Sequence, residues 1–449
     1  MEVDRAGRRA VVAADLSPFA ALRGFRRDAL SLLERLAERG DVVRVRIPRA
    51  DAFLLNHPDL VHEVLVARHR AFGKGPTIEA SRLLLGESVL TTEGDRHRRQ
   101  RRRLQPMFHH ERITLYGDAM VRLADRAAGR WDDGATLDVH AEMAALTLAV
   151  VTETLFGTSA DARRGDAVTT ALTRLLAMFD RAYSPAFRIL ARLPTPTMRR
   201  FRRIEADLDA IVDDLIAERR ADGATGDDVL SLLLRARDRD VAITDREVRD
   251  ETLTLFLAGH ETTANAMTWT WWLLSQHPEV ESRLHRELDA ALGGRVPGVA
   301  DLERLRYAEW VVSESLRLRP PAWAIGRRAI ADVEIGGVPI PAGSVVVVSP
   351  WLLQRDPRWW RDPEVFRPER WSPEGSVGRR RDVFLPFGAG PRRCLGEPFA
   401  WMESVLLLST IARRWRFRPV SDRPVELQAV VTLRPRHGLP MVAERLART

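Results

Sequence analysis

Cysteine is almost missing from this chain: among 449 residues Cys394 is the only one. A lone cysteine forms no internal disulfide, and it cannot build a zinc or iron–sulfur centre out of thiolates. Lysine is as scarce, with Lys74 the one lysine among 70 basic residues. Long apolar runs are absent too; no stretch approaches the roughly 18 residues that would span a membrane. The opening Met1–Arg9 is polar, and Val11–Ala14 is too short for the apolar core of a secretion signal. With one cysteine, this predicts a cytoplasmic protein without a leader. No Ser/Gly run, Pro-rich spacer or repeat divides the chain. One large domain over 16–449 is therefore expected, after a disordered tail at 1–15. A hydrophobic content of 45% suffices for its core. The net charge is +8, but the 62 acidic residues are interspersed with the basic ones. The basic clusters (Arg96–Arg103, Arg199–Arg203, Arg379–Arg381) are short, and no groove-reading motif accompanies them. Nucleic acid is excluded as a partner on that ground, and an acidic protein suits the balance better.

What is present begins with the surroundings of Cys394, in Pro386-Phe-Gly-Ala-Gly-Pro-Arg-Arg-Cys394-Leu-Gly396. A single thiolate can hold one iron as the axial ligand of a heme. Gly390 and Gly396 allow close backbone approach to a flat ligand. Arg392 places a cation near the sulfur and can also reach a carboxylate, and Phe387 offers an apolar shield. The residues after Cys394 read as a helix start with Pro398 in its first turn. That location favours thiolate over thiol. Taken alone, a lone cysteine is also read as a small buried hydrophobe.

Upstream, apolar residues recur at helical spacing from about Arg26 to Arg39, until Gly40. Val42–Ile47 and Ala52–Leu55 read as short strands. From Arg96 to about Gln276 the pattern is mostly helical. Leu175 to Pro196 reads either as core packing or as a mobile lid over an apolar pocket. Thr244-Asp-Arg-Glu247 is a capping box. It opens a long apolar helix whose centre reads Ala258-Gly-His-Glu-Thr-Thr263. Polar residues and glycine inside a buried helix are locally unfavourable, as expected of a functional site. Hydroxyls bonding back to the preceding turn are expected to open or bulge the helix there. Glu314 and Arg317 stand at i, i+3 on a later helix. A hairpin around Gly336-Gly337, a strand at Ser344–Ser349 and a strand-like tail at Glu426–Met441 complete the pattern.

Four motifs, in order, resemble those of the cytochrome P-450 family. Ala258–Thr263 looks like its oxygen-activation segment, and Glu314-x-x-Arg317 resembles its Glu-x-x-Arg motif. Arg367-Pro-Glu-Arg370-Trp371 is similar to its Pro-Glu-Arg-Phe segment, with Trp for the final Phe. Phe387-x-x-Gly-x-Arg392-x-Cys394-x-Gly396 matches the heme-binding loop at all five fixed positions. The resemblance spans essentially the whole chain. It implies a mainly α fold with small β-sheets, a single domain with a long central helix over the heme.

By the same resemblance Cys394 is the axial thiolate to the iron of heme b, and dioxygen is the co-substrate. Glu261, the acid that connects to solvent, and Thr262 deliver protons, helped by a distortion at Gly259. Glu314, Arg317 and Arg370 form a buried ion-pair network. His97, Arg101, Arg327, Phe387, Arg392 and Gly396 bind the heme, the cations among them serving its propionates. Thr77–Leu90, Leu175–Phe187, Leu253–Ala258, Ala322–Ile325 and Ala429–Thr432 line the substrate pocket, with Ala258, Trp323 and Val431 in it. The implied activity is a monooxygenase that hydroxylates or epoxidises an apolar small molecule, such as a terpenoid or other secondary metabolite. Oxidative coupling, ring closure or nitrogen chemistry on the same fold is the alternative, and a non-catalytic heme protein a remoter one. Without a flavin or nicotinamide domain, electrons are expected from a separate ferredoxin and ferredoxin reductase.

Overall fold

The computed structural model describes residues 11–157, 195–239 and 243–446, apart from 15, 49, 224 and 227. They fall into two compact units, each entered by the chain more than once. The first takes the chain up to Glu79, then Ser313–Cys394 and Leu427–Arg434; the second takes Ala80–Val312, Leu395–Glu426 and the chain from Pro435.

The first unit is built on a six-stranded mixed sheet. Its order is Val11–Ala13, Val42–Ile47, Ala50–Leu55, Val345–Val348, Ile325–Ala329, Phe72–Lys74. Residues 1–15 read from sequence as a tail, yet Val11–Ala13 forms an edge strand, parallel to Val42–Arg44. Two β-branched valines suit that edge. The helix expected from Arg26 to Arg39 is two helices, Pro18–Arg27 and Ala29–Ala37. Asp28 between them is extended and caps the second, its carboxylate accepting from Ser31 N at 3.1 Å. The hairpin at Gly336-Gly337 pairs Val333–Ile335 with Val338–Ile340. One apolar cluster gathers Phe53, Val64, Leu65, Phe72, Val346 and Trp360.

The second unit is helical. Its longest member is Asp245–Gln276, with 32 residues. Thr244 caps it, Oγ1 accepting from Glu247 N at 3.1 Å, as the capping box predicts. This central helix packs against Val139–Phe156, Pro196–Ala221, Val229–Arg239 and Glu397–Ala412. Near its C-terminal end Trp271 meets Phe417 edge-on at 5.0 Å, and Trp131 joins Phe417 at 5.5 Å. Among the described helices none is long and apolar enough to cross a membrane.

Candidate functional site

In the first unit the residues before Cys394 form a tight loop. Gly388 N donates to Leu385 O at 3.0 Å, Arg393 N to Gly390 O at 3.0 Å, and Cys394 N to Phe387 O at 2.9 Å. Gly390 has φ of +71°, and a Cβ there would lie 2.0 Å from Leu65 O. The protein backbone at Leu65 is thus by itself a reason for glycine at 390. Gly396, in the second unit, differs. A Cβ there would meet only Phe108, at an ordinary 3.8 Å. The protein alone leaves room at 396, so close approach by a ligand remains a reason for glycine there.

Cys394 itself is exposed. Phe387 and Arg392 are half-buried beside it. The helix Glu397–Ala412 starts just beyond, with Gly396 as its N-cap and a proline in its first turn. An open thiol next to a helix N-terminus fits thiolate ligation of a metal centre.

Behind the loop lies a buried polar hub. Glu314 and Arg317 are both 0% exposed. Arg317 Nε and Nη2 donate to Glu314 Oε2 and Oε1 at 2.9 and 2.8 Å. Glu314 also accepts from Arg367 N at 3.0 Å, Arg370 Nε at 3.1 Å and Trp371 Nε1 at 3.0 Å. Tryptophan at 371 thus supplies a hydrogen bond that phenylalanine lacks. Burial pulls the Arg370 guanidinium pKa down, and Glu314 opposes the shift. Arg379 stacks over Trp371 at 4.2 Å.

Gln354, which sequence reasoning missed, ties this hub to the cysteine loop. Its Nε2 donates to Leu316 O and Arg317 O at 3.0 Å each, and its Oε1 accepts from Leu385 N at 2.9 Å. No local signal marks it, because its partners are backbone atoms far away in sequence.

Also in the first unit, Arg327 is half-buried on the strand Ile325–Ala329 and donates to Gly326 O at 2.9 Å. Trp323 is buried in the apolar cluster around Leu33, Val43 and Leu433. Its indole N–H reaches Val430 O at 3.2 Å. Val431 is 38% exposed.

In the second unit the central helix has one informative break in its burial. Residues on either side are buried, but Ala258 is exposed and Leu257, Gly259 and Thr262 are half-buried. Ala258 and Thr262 are one turn apart, on one face. A buried helix open on one face at its centre offers a wall to a flat ligand. Thr262 Oγ1 donates back to Ala258 O at 2.7 Å. The helix nonetheless stays α-helical throughout, without the expected bulge. Glu261 is buried, 8% exposed.

His260 is a feature the sequence reading passed over. It is buried, and burial lowers its pKa to about 4, so its ring is neutral at physiological pH. Its carbonyl accepts from Thr147 Oγ1, on the neighbouring helix, at 3.1 Å. Gly259 lets that helix come close, since a Cβ would sit 3.0 Å from Val151. Glu403, on Glu397–Ala412, is fully buried, and burial raises its pKa well above the carboxylate range. The Thr263 hydroxyl opposes this shift.

His97 is buried and Arg101 half-buried, one turn apart on Gly94–Leu104. The other arginines of this basic run are largely paired internally: Arg96 with Glu87, Arg98 with Asp95, and Arg103 with Glu247. Leu175–Phe187 lies outside the described residues.

The sequence profile of the cytochrome P-450 family matches residues 21–440. Cyclooctat-9-en-7-ol 5-monooxygenase of Streptomyces melanosporofaciens is 42% identical over 88% of this chain and 86% of its own. Cyclooctatin synthase of the same organism is 40% identical over 91% of this chain and 89% of its own. Pentalenene oxygenase of Streptomyces avermitilis is 36% identical over 91% of each. Among solved structures, the cytochrome P-450DA heme domain aligns over 98% of both chains, with a TM-score of 0.86 and 25% identity.

Proposed function

The chain belongs to the cytochrome P-450 family, and we propose that this monooxygenase hydroxylates or epoxidises a cyclic terpenoid. Membership implies heme iron, dioxygen and an external source of electrons. The observation that carries the site reading is the exposed thiol of the only cysteine, on a glycine-shaped loop at a helix N-terminus. The substrate class rests on relatives whose names carry an unsaturated cyclic hydrocarbon and an unsaturated cyclic alcohol.

The cofactor is heme b, and it supplies the dioxygen-activating iron when bound. Cys394 would hold its iron through the sulfur, with the helix N-terminus favouring the thiolate and Phe387 as an apolar shield. His97, Arg101, Arg327 and Arg392 would hold its propionates by charge-assisted hydrogen bonds, and Gly396 would leave room for the ring. Thr262 Oγ1 carries the proton that matters. Its hydroxyl is parked on Ala258 O and swings off that carbonyl to donate. Glu261, buried next to it, is the acid that restores this proton. Ala258, Trp323 and Val431 lie at the substrate pocket. Glu314, Arg317 and Arg370 serve the fold rather than the reaction.

Electrons come from a ferredoxin and its reductase, the enzyme being cytoplasmic. Arg381 and Arg393 are exposed and suit an acidic docking partner. Arg380 is held by Asp59 and Asp382, and Arg379 is stacked on tryptophan, so these two are committed to the fold.

The test is turnover with a surrogate ferredoxin and reductase, a panel of cyclic terpene hydrocarbons and alcohols, and isotopically labelled dioxygen. A product carrying one labelled oxygen is expected. Products that are only dehydrogenated or coupled, without label, would overturn the monooxygenation reading.

A further inference from the structure

The N-terminal end of the central helix commits three consecutive charged residues to one neighbouring segment. Arg249, Asp250 and Glu251 are 4%, 2% and 2% exposed. Successive helix residues point about 100° apart, so burying three in a row needs partners wrapped around that end. The backbone of residues 84–89 provides them. Arg249 Nη1 donates to Leu84 O at 3.0 Å. Asp250 Oδ2 accepts from Glu87 N at 2.7 Å, and Glu251 Oε1 and Oε2 accept from Val89 N at 2.9 and 3.0 Å. Arg249 also pairs with Asp250 at 2.9 Å and with Asp209 on Pro196–Ala221.

The segment is shaped for this contact. Gly86 has φ of +54°, and a Cβ there would sit 2.0 Å from Asp250 Oδ2. Only glycine lets the turn come so close. Beyond it the loop is tied to itself and to the next helix. Thr91 Oγ1 donates to Gly86 O at 2.7 Å, Thr92 Oγ1 to Ser88 O at 2.9 Å, and Gln100 Nε2 to Glu87 O at 2.6 Å. Every one of these links lies within the second unit. Apolar packing would hold such a loop without burying charge. What the carboxylates add is direction, because each fixes one particular N–H.

We infer that Arg249, Asp250 and Glu251 form a clasp that sets the conformation of residues 84–90, making Asp250 and Glu251 positioning residues for substrate. The inference rests on the proposed reading in which Thr77–Leu90 lines the pocket. Val89 and Leu90 are half-buried. The same helix carries Ala258 and Thr262 about two to three turns further on. The clasp therefore fastens a lining segment to the element that bears the proton donor.

The test uses hydrogen exchange and ligand binding on the holoenzyme, with E251A and the conservative E251Q. Peptides covering 86–92 should exchange roughly ten- to a hundredfold faster in E251A, the cost of one charge-assisted bond. The affinity for 4-phenylimidazole, read from its Soret shift, should fall about fivefold or more, equivalent to ~1 kcal/mol. E251Q keeps an oxygen for Val89 N and should fall between parent and E251A in both readouts. Unchanged exchange would overturn the clasp. Faster exchange with unchanged affinity would overturn the positioning role. A parent protein without thiolate-ligated heme would instead overturn the proposed function, and the exchange arm would still decide the clasp.

Discussion

Removing Glu314 should be among the most damaging single changes in this protein. In E314A four donors lose their acceptor together: Arg317 Nε, Arg367 N, Arg370 Nε and Trp371 Nε1. Arg317 Nη1 and Nη2 keep partners on Gln354 O, Pro363 O and Val365 O. At about 1 kcal/mol for each stranded donor, the loss is about 4 kcal/mol. Breaking a buried ion pair by deleting one partner costs about 3–5 kcal/mol by independent reckoning. The two estimates agree because they describe the same event, two guanidinium groups left in the interior without their counter-ion. Urea unfolding followed by tryptophan fluorescence measures it, as a lower midpoint at unchanged slope. W371F removes one donor and no charge, so about 1 kcal/mol is expected. An E314A protein within ~1 kcal/mol of the parent would refute the hub reasoning. So would a W371F protein as damaged as E314A.

Four other outcomes follow from the same structure. His260 is neutral in the folded protein down to about pH 4, whereas the unfolded chain binds its proton near pH 6.5. Stability should therefore drop by about 3 kcal/mol as pH falls from 6.5 to 4, and H260Q should flatten that window; an unchanged pH profile in H260Q would contradict the burial argument. Glu403 behaves oppositely. Its folded pKa is raised, so above about pH 4.5 only the unfolded chain ionises; E403Q should be more stable than the parent at pH 7, with a gap that closes towards pH 4. G390A should lose heme on purification, because its Cβ collides with Leu65 O; full heme occupancy would show that the loop can shift. T262A should keep its heme while product formed per electron consumed falls at least about tenfold; unchanged coupling would move the proton path elsewhere.

Local chemistry made much of this legible in the sequence. Thr244 caps the central helix where the capping-box pattern predicts, and Glu314 with Arg317 reads as a pair from spacing alone. The hairpin at Gly336-Gly337 is equally local. What stayed hidden depends on partners distant in the chain. Gln354 works through carbonyls and an amide some thirty or more residues away. Arg249, Asp250 and Glu251 look like an ordinary charged stretch near a helix start until residues 84–89 are placed beside them. Val11–Ala13 carries too few residues to announce a strand, and only the pairing with Val42–Arg44 makes it one. The bulge expected near Gly259 illustrates the converse. Thr262 bonds back to Ala258 as local chemistry suggests, but packing against Val139–Phe156 accompanies an unbroken helix.

The central claim, that Cys394 holds a heme iron as thiolate, is tested most directly by one spectrum. The purified protein is reduced, exposed to carbon monoxide and compared with C394A. A far-red-shifted Soret band in the parent, absent from C394A, is the predicted result. A histidine-like band in the parent, or the thiolate band persisting in C394A, would contradict it.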